Sequence, residues 1–261
     1  METHDLDEAS LIARTVPAAT VVIYRRDPAG GAAQLLMVER SASLAFAGGA
    51  TVFPGGKIDP ADRELAGKLG GDPDDMAARI AGVRETLEET GLVVGVAGNV
   101  DGVLAAKARQ LLLEKGDLAP VLDAFGWTLT LGSLIPFARW WPRHRSERIF
   151  DTRFYLADLG TGTVDIKVDA TENRHLFWAS AAQALELAGQ GKIKVIFPTQ
   201  RNLERLAQFD TFDAARDHAG AFPVDTISPY VEEREDGRWL MIPDGLGYPV
   251  RGERLDRAQR G

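Results

Sequence analysis

Apolar positions recur along the chain with two alternating periods, and the alternation predicts a mixed α/β protein. Residues 18–25 (AATVVIYR) form a β-branched run that reads as a buried strand. Asp27-Pro28 and Gly30-Gly31 make a turn, and residues 34–39 (QLLMVE) supply a second strand, so the pair reads as a hairpin. Residues 49–54 predict a third short strand that delivers the chain to Gly55-Gly56. Two helix starts follow, each with a capping aspartate before a proline: Asp59-Pro60 and Asp72-Pro73. The first helix is expected over 60–69. The second is expected over 73–90, with Gly91 suited to a left-handed cap. The apolar stripe of this second helix is Met76, Ile80, Val83 and Leu87, spaced at helical intervals.

Beyond Gly91 the same reading predicts a strand over 92–97 and helices over 103–114 and 118–125. Strands are expected over 134–141 and 149–156, joined by a basic link, RWWPRHRSER. A strand within 171–179 leads to Ser180, whose Ser-x-x-Gln pattern with Gln183 predicts a capping box and a helix to about Leu187. Another helix is expected over 200–209. The remainder holds an alanine-rich helical stretch at 214–219 and two short strands around Glu235-Asp236-Gly237-Arg238. No linker or internal repeat divides the chain, so residues 210–261 read as an extension packed on the main body.

Composition narrows the function classes. Hydrophobic residues make up 45% and charged residues 26%, as in an ordinary globular protein. The net charge of −8 argues against a dedicated nucleic-acid or anionic-membrane surface. With no cysteine there is no disulfide, thiolate metal site or cysteine nucleophile. The longest apolar run falls short of the roughly 20 residues of a membrane-spanning helix. The acidic amino terminus is unlike a targeting signal, and a cytoplasmic protein is expected.

The candidate chemistry sits between Phe53 and Leu92. On the 73–90 helix, Glu85, Glu88 and Glu89 share one face opposite Leu87. Three crowded carboxylates raise each other's pKa, and a hard divalent cation, which prefers oxygen ligands, would relieve the repulsion. Taken alone, such a run is also what a solvated helix face looks like.

These residues resemble a Nudix box, G-x5-E-x7-R-E-U-x-E-E-x-G-U with U aliphatic. Its second half matches at Arg84, Glu85, Glu88, Glu89, Gly91 and Leu92, with Thr86 where an aliphatic residue is usual, and Gly55-Gly56 match its start. The middle departs from the pattern. Six residues after Gly56 stands Asp62 rather than Glu, and 21 residues separate it from Arg84 where the box has seven, so a 14-residue insertion splits the box. The usual glutamate is absent, and Asp62 could reach Arg84 in its place. The split box is similar to that of the peroxisomal coenzyme A diphosphatases and their bacterial relatives. The segment LMVERSASLAFAGGATVFPGG (Leu36 to Gly56) echoes the lead-in of that branch at Arg40, Ser41, Gly49 and FPGG, but has Ala45 where a second arginine is usual. IFDTRFYLADL, the Trp178 strand and FPTQRNLERL extend the likeness over about residues 15–209.

The resemblance implies an α/β/α Nudix sandwich with a mixed β-sheet, an extra helix in the box and a domain over 15–209. It implies Mg2+ or Mn2+ held by Glu85, Glu88 and Glu89 with the Gly55 carbonyl, and Arg84 bracing the glutamates. Glu88 and Glu172, the latter six residues before Trp178, are the candidates for general base or extra ligand. Arg40, Arg139, Arg148 and Arg153 are the candidates for binding a small-molecule nucleotide-diphosphate substrate, and Trp140, Trp141 or Phe46 for stacking on adenine. Coenzyme A or an acyl-coenzyme A is the leading substrate. ADP-ribose, a dinucleotide or capped RNA, and a silent nucleotide sensor, stay open as alternatives. So does a homodimer.

Overall fold

The computed structural model describes residues 8–42, 47–143, 149–160 and 173–258. In chain order the first elements are α1 (Glu8–Arg14), β1 (Thr15–Arg25), β2 (Gln34–Arg40), β3 (Thr51–Val52) and β4 (Gly55–Lys57). The insertion and box follow as α2 (Pro60–Ala66) and α3 (Pro73–Thr90), then β5 (Val96–Ala97), α4 (Gly102–Lys115), α5 (Ala119–Phe125) and β6 (Thr128–Leu129). Next come β7 (Ile135–Trp140), β8 (Ile149–Asp158), β9 (Asn173–Ala179), α6 (Ala181–Gly189), α7 (Phe197–Leu206) and α8 (Phe212–Gly220). The chain ends with β10 (Thr226–Ile227), β11 (Tyr230–Arg234), β12 (Gly237–Met241) and β13 (Gly252–Arg254).

An eight-stranded mixed sheet forms the centre, in the order β10-β7-β8-β1-β2-β3, with β4 paired to β1 and β9 to β2. Strand β1 is parallel to β8, and on its other edge it is shared by two partners: β2 at Tyr24–Arg25 and β4 at 18–20. Because side chains alternate along a strand, β1 feeds both faces. Ala19, Val21 and Ile23 pack under α3, α4 and α5, while Val22 and Tyr24 pack with α7 and α8. The result is helices on both faces of one sheet, the sandwich expected from the sequence.

Local signals fix α3 at both ends. The Asp72 carboxylate accepts from the backbone N–H groups of Asp74 and Asp75, and Gly91 sits at φ 74° with its N–H on the Leu87 carbonyl. Ile80, Val83 and Leu87 are buried, as the stripe requires. The Ser180–Gln183 capping box is present and opens α6, which runs on to Gly189 rather than stopping near Leu187.

Four expectations are corrected. The strand expected over 49–54 is two short pieces, β3 and β4, because Pro54 interrupts the ladder and its carbonyl instead accepts from Val21 N–H at 2.9 Å. The strand expected over 92–97 shrinks to β5, which pairs only with β6 outside the main sheet. The first inserted helix ends at Ala66. Helix α7 begins at Phe197, where Pro198 pre-sets the first turn, rather than at 200.

Residues beyond 209 complete the core. Strand β10 adds a parallel edge to β7, and Ile227, Leu240, Ile242, Leu246 and Tyr248 are buried in the same cluster as Phe137, Trp140 and Leu203. Tyr248 Oη donates to Asn202 Oδ1 at 2.7 Å, and the buried Arg201 donates to the Gly252 carbonyl at 3.0 Å. A chain cut after Phe209 would leave Arg201, Asn202 and this apolar surface in water. It is expected to aggregate or to melt without a cooperative transition, since the apolar surface it uncovers loses about 25 cal/mol of stabilisation per Å2. A truncated chain that melts cooperatively within a few degrees of the full one would overturn this.

Candidate functional site

Strand β4 and helix α3 bring the two halves of the split box together. Ala19 and Thr20 of β1 register with Gly56 and Gly55. A Cβ at Gly55 would run into the Ala19 carbonyl oxygen, and one at Gly56 would land on the Glu85 carboxylate. Position 55 therefore requires glycine for the strand to close on β1, and a side chain at position 56 would displace the Glu85 carboxylate from the strand end. The Gly55 N–H donates to Glu89 Oε2 at 3.0 Å.

Arg84 is the centre of this arrangement. It is 3% exposed and its guanidinium is surrounded by acceptors. Nη1 donates to Glu85 Oε1 at 2.8 Å and to Glu88 Oε2 at 3.0 Å. Nη2 donates to the Lys57 carbonyl at 2.8 Å and to Asp62 Oδ2 at 3.0 Å, and Nε reaches Asp62 Oδ1 at 3.1 Å. Asp59 lies 3.4 Å away. Burial works against the Arg84 charge, but its bonds to Asp62 and the charges of Glu85, Asp62 and Asp59 outweigh it and raise its pKa.

Asp62 fills the role of the missing box glutamate. It is 1% exposed, and α2 holds it in place because Asp62 Oδ2 also accepts the Asp59 N–H at 2.8 Å. The inserted segment thus carries its own replacement for the lost side chain. The sequence offered Asp62 only as one possible partner. The contributions of Asp59 and of the Lys57 carbonyl, and the grip of Arg109 Nε on the Glu88 carbonyl at 2.8 Å, were not read from it.

The Glu85 carboxyl is pushed up to about 8. Burial is the larger cause, opposed by Arg84, and the charges of Glu89 and Glu88 add to it. Mutual repulsion, the cause expected from the sequence, is therefore the smaller part. Among the described residues no three acidic or histidine side chains already surround a common point suited to an ion. Glu85 and Glu88 turn toward Arg84 and Glu89 turns toward Gly55. The donor chemistry nevertheless fits a hard cation: carboxylates at three- and four-residue spacing on one helix face, one of them buried with its charge disfavoured.

The substrate candidates are placed as follows. Arg40 ends β2, half-buried, and its Nε has no hydrogen-bond partner among the described residues. Arg139 and Arg153 face each other in register on β7 and β8. Arg139 is held by a two-pronged pair to Asp151 at 2.8 and 2.6 Å. Arg153 lies 3.6 Å from Asp75, at the amino end of α3. From Asp75 to Glu85 is ten residues, about 15 Å along a helix, so these two arginines stand apart from the carboxylate cluster. Trp140 is 2% exposed and meets Phe197 and Tyr248 edge-on, so stacking on adenine, expected as one option, is corrected to a core role. Trp141 carries the Arg143 guanidinium 4.5 Å from its ring centre. Glu172, Arg148 and Phe46 lie outside the described residues.

No protein-family model matches the chain. Among solved structures it is similar to a NUDIX hydrolase from Alicyclobacillus acidocaldarius, with 27% identity over 78% of this chain and 96% of that one and a TM-score of 0.65. More remote likenesses are a MutT protein from Methanosarcina mazei Go1 (16% identity, 74% and 94% covered, TM-score 0.39) and a C. elegans Ap4A hydrolase in a binary complex (17% identity, 67% and 86% covered, TM-score 0.37). The α/β fold built around this carboxylate cluster is that of the Nudix hydrolases, the superfamily to which its structural neighbours belong.

Proposed function

We propose that this chain is a metal-dependent diphosphatase acting on a nucleoside-diphosphate-linked substrate, with coenzyme A or an acyl-coenzyme A as the leading substrate. One observation carries the reading: Glu89 and Glu85 lie against the Gly55-Gly56 strand end, and Arg84 braces Glu85 together with Glu88. The likeness to the Alicyclobacillus hydrolase supports it.

In this reading Glu85, Glu88, Glu89 and the Gly55 carbonyl would hold Mg2+ or Mn2+. When bound, the ion neutralises diphosphate oxygens and makes the phosphorus a better electrophile. Water forms a new P–O bond as the bridging P–O bond breaks, and the bridging oxygen leaves on the other phosphate. The water proton passes to a carboxylate, Glu88 or Glu172. Arg84 keeps Glu85 and Glu88 in place through charge-assisted bonds that need no rearrangement during turnover. Arg40, Arg139, Arg148 and Arg153 supply the positive charge for the rest of the nucleotide. For coenzyme A the products are 3′,5′-ADP and phosphopantetheine.

The test is to incubate the full chain with coenzyme A, an acyl-coenzyme A, ADP-ribose, NADH and diadenosine polyphosphates, with and without magnesium or manganese, and to identify the products by mass. Metal-dependent cleavage of coenzyme A at the diphosphate is expected. Cleavage of ADP-ribose or a dinucleotide alone would keep the diphosphatase and remove the coenzyme A reading. Inertness toward the whole panel would sink both.

A further inference from the structure

The last turn of α3 carries Glu88 and Glu89, at the end of the helix where the peptide dipoles concentrate negative charge. Two carboxylates are unfavourable there, and α3 has no basic residue in that turn to offset them. The final carbonyls of a helix also lie beyond its own ladder and need other donors. The Gly91 N–H donates to the Leu87 carbonyl at 3.0 Å, and the Thr90 hydroxyl to that of Thr86 at 2.6 Å. The Leu92 N–H would reach the Glu88 carbonyl if the helix ran on. It donates instead to Thr90 Oγ1 at 3.1 Å.

Arg109 takes that place from the neighbouring helix. Ala108 and Leu112 of α4 share the core with Ile80, Val83 and Leu87 of α3, and this packing sets half-buried Arg109 beside the end of α3. Arg109 Nε donates to the Glu88 carbonyl at 2.8 Å, and among the described residues the side chain makes no other hydrogen bond and no ion pair. A Cβ at Gly91 would come 3.8 Å from Arg109 Cδ, so the arginine stem lies across the turn that ends the helix. The one side chain brings both a donor for the carbonyl and a positive charge for the helix end.

Glu88 is thereby held at two points. Arg84 Nη1 fixes its carboxylate at 3.0 Å and Arg109 its backbone at 2.8 Å, while the next residue, Glu89, is tied to the Gly55 N–H at 3.0 Å. Any swing of this last turn would carry both carboxylates with it. We propose that Arg109 is a positioning residue: through the Glu88 carbonyl it fixes the last turn of α3, and so sets where Glu88 and Glu89 present oxygen to a divalent cation. The proposal rests on the diphosphatase reading of the carboxylate cluster and extends that site to α4, outside the box.

Binding of Mn2+ to the full chain, followed by the paramagnetic resonance signal of the free ion, reads the carboxylates without turnover. Arg109→Met is expected to weaken Mn2+ roughly tenfold, the usual cost of losing a group that orients a ligand. It is expected to lower kcat for the cleaved diphosphate by a similar factor, with little change in KM. Glutamine places its Nε2 at the same chain length as arginine Nε, so Arg109→Gln keeps the donor without the charge and is expected to retain most of the affinity. Arg109→Lys keeps the charge but carries its nitrogen one atom further out, and is expected to bind Mn2+ less tightly than Arg109→Gln. Lys107→Met removes an exposed charge from the same helix and is expected to change nothing. Because Arg109 acts through Glu88, Arg109→Met is expected to cost less in a Glu88→Gln chain than in the unaltered one.

An Arg109→Met variant that binds Mn2+ as the unaltered chain does, or differs only in melting temperature, would overturn the proposal. So would Arg109→Gln as impaired as Arg109→Met, which would reduce Arg109 to a charge at the helix end, or costs that simply add with Glu88→Gln. If Arg109→Met does not fold, the Gln and Lys variants decide: equal Mn2+ affinity in both would overturn it. Weakened Mn2+ binding in a chain that cleaves no diphosphate would sink the diphosphatase reading and leave this one standing. An active chain indifferent to Arg109→Met would do the reverse, and no Mn2+ binding by the unaltered chain would end both.

Discussion

Glu88→Gln is expected to lower turnover of the cleaved diphosphate by roughly 10²–10⁴-fold, the range for losing a positioned general base, with little change in thermal unfolding. The three acids of α3 are not equivalent. Glu85 is nested over Gly56 and its charge is disfavoured by burial. Glu89 is 6% exposed and accepts the Gly55 N–H. Glu88 has the more open side chain, 24% exposed against 15% for Glu85, so solvent reaches it most readily. Glutamine keeps an oxygen for the Arg84 bond and about the same volume, so the fold is retained while proton acceptance and anionic ligation are lost. The measurement is kcat at saturating magnesium, paired with a melting curve. An unchanged kcat would remove Glu88 from the chemistry and leave Glu172 as the candidate base. A reduced kcat restored by excess metal would make Glu88 a ligand rather than the base.

What could be read from the sequence was what depends on neighbours in the chain. Helix α3 has the limits expected because an Asx cap, a following proline and a terminal glycine act within a few residues. The acidic face of α3 was legible for the same reason: three- and four-residue spacing puts Glu85, Glu88 and Glu89 together whatever the fold. Contacts across the chain were not legible. Arg84 and Asp62 are 22 residues apart, and only the closure of α2 on α3 brings them into contact. The apolar stretch after Gly91 has strand composition, but Leu92 and Val94 are buried in the core outside any strand and only Val96–Ala97 pair, with β6. The pairing of Arg139 with Asp151 was not legible either, because Asp151 approaches it only once β7 and β8 pair. Trp140 looked available for stacking, yet β10 and Tyr248 come from the far end of the chain to enclose it.

Arg84→Met is expected to destabilise the protein by about 3–5 kcal/mol, the cost of removing one partner of a buried ion pair. For a chain of this size that is a fall in Tm of roughly 10 °C. Asp62 would bear most of the loss. It is 1% exposed, and without Arg84 its remaining bond in the structure is the one from the Asp59 N–H. Its charge would then be left almost unopposed. The double variant Arg84→Met/Asp62→Leu removes that buried charge as well and is expected to recover much of the lost stability, since apolar replacement of a buried pair is often near neutral. It is not expected to recover hydrolysis, because Glu85 and Glu88 still lose the guanidinium that holds them at 2.8 and 3.0 Å. Stability and activity therefore separate across the cycle: the Asp62–Arg84 contact holds α2 to α3, and the Arg84–Glu85–Glu88 contacts hold the acids in position. Recovery of activity along with stability in the double variant would show that Arg84 only supports the fold. An unchanged Tm in the single variant would show that Asp62 finds another partner, and the inserted helix would then lose the role assigned to it.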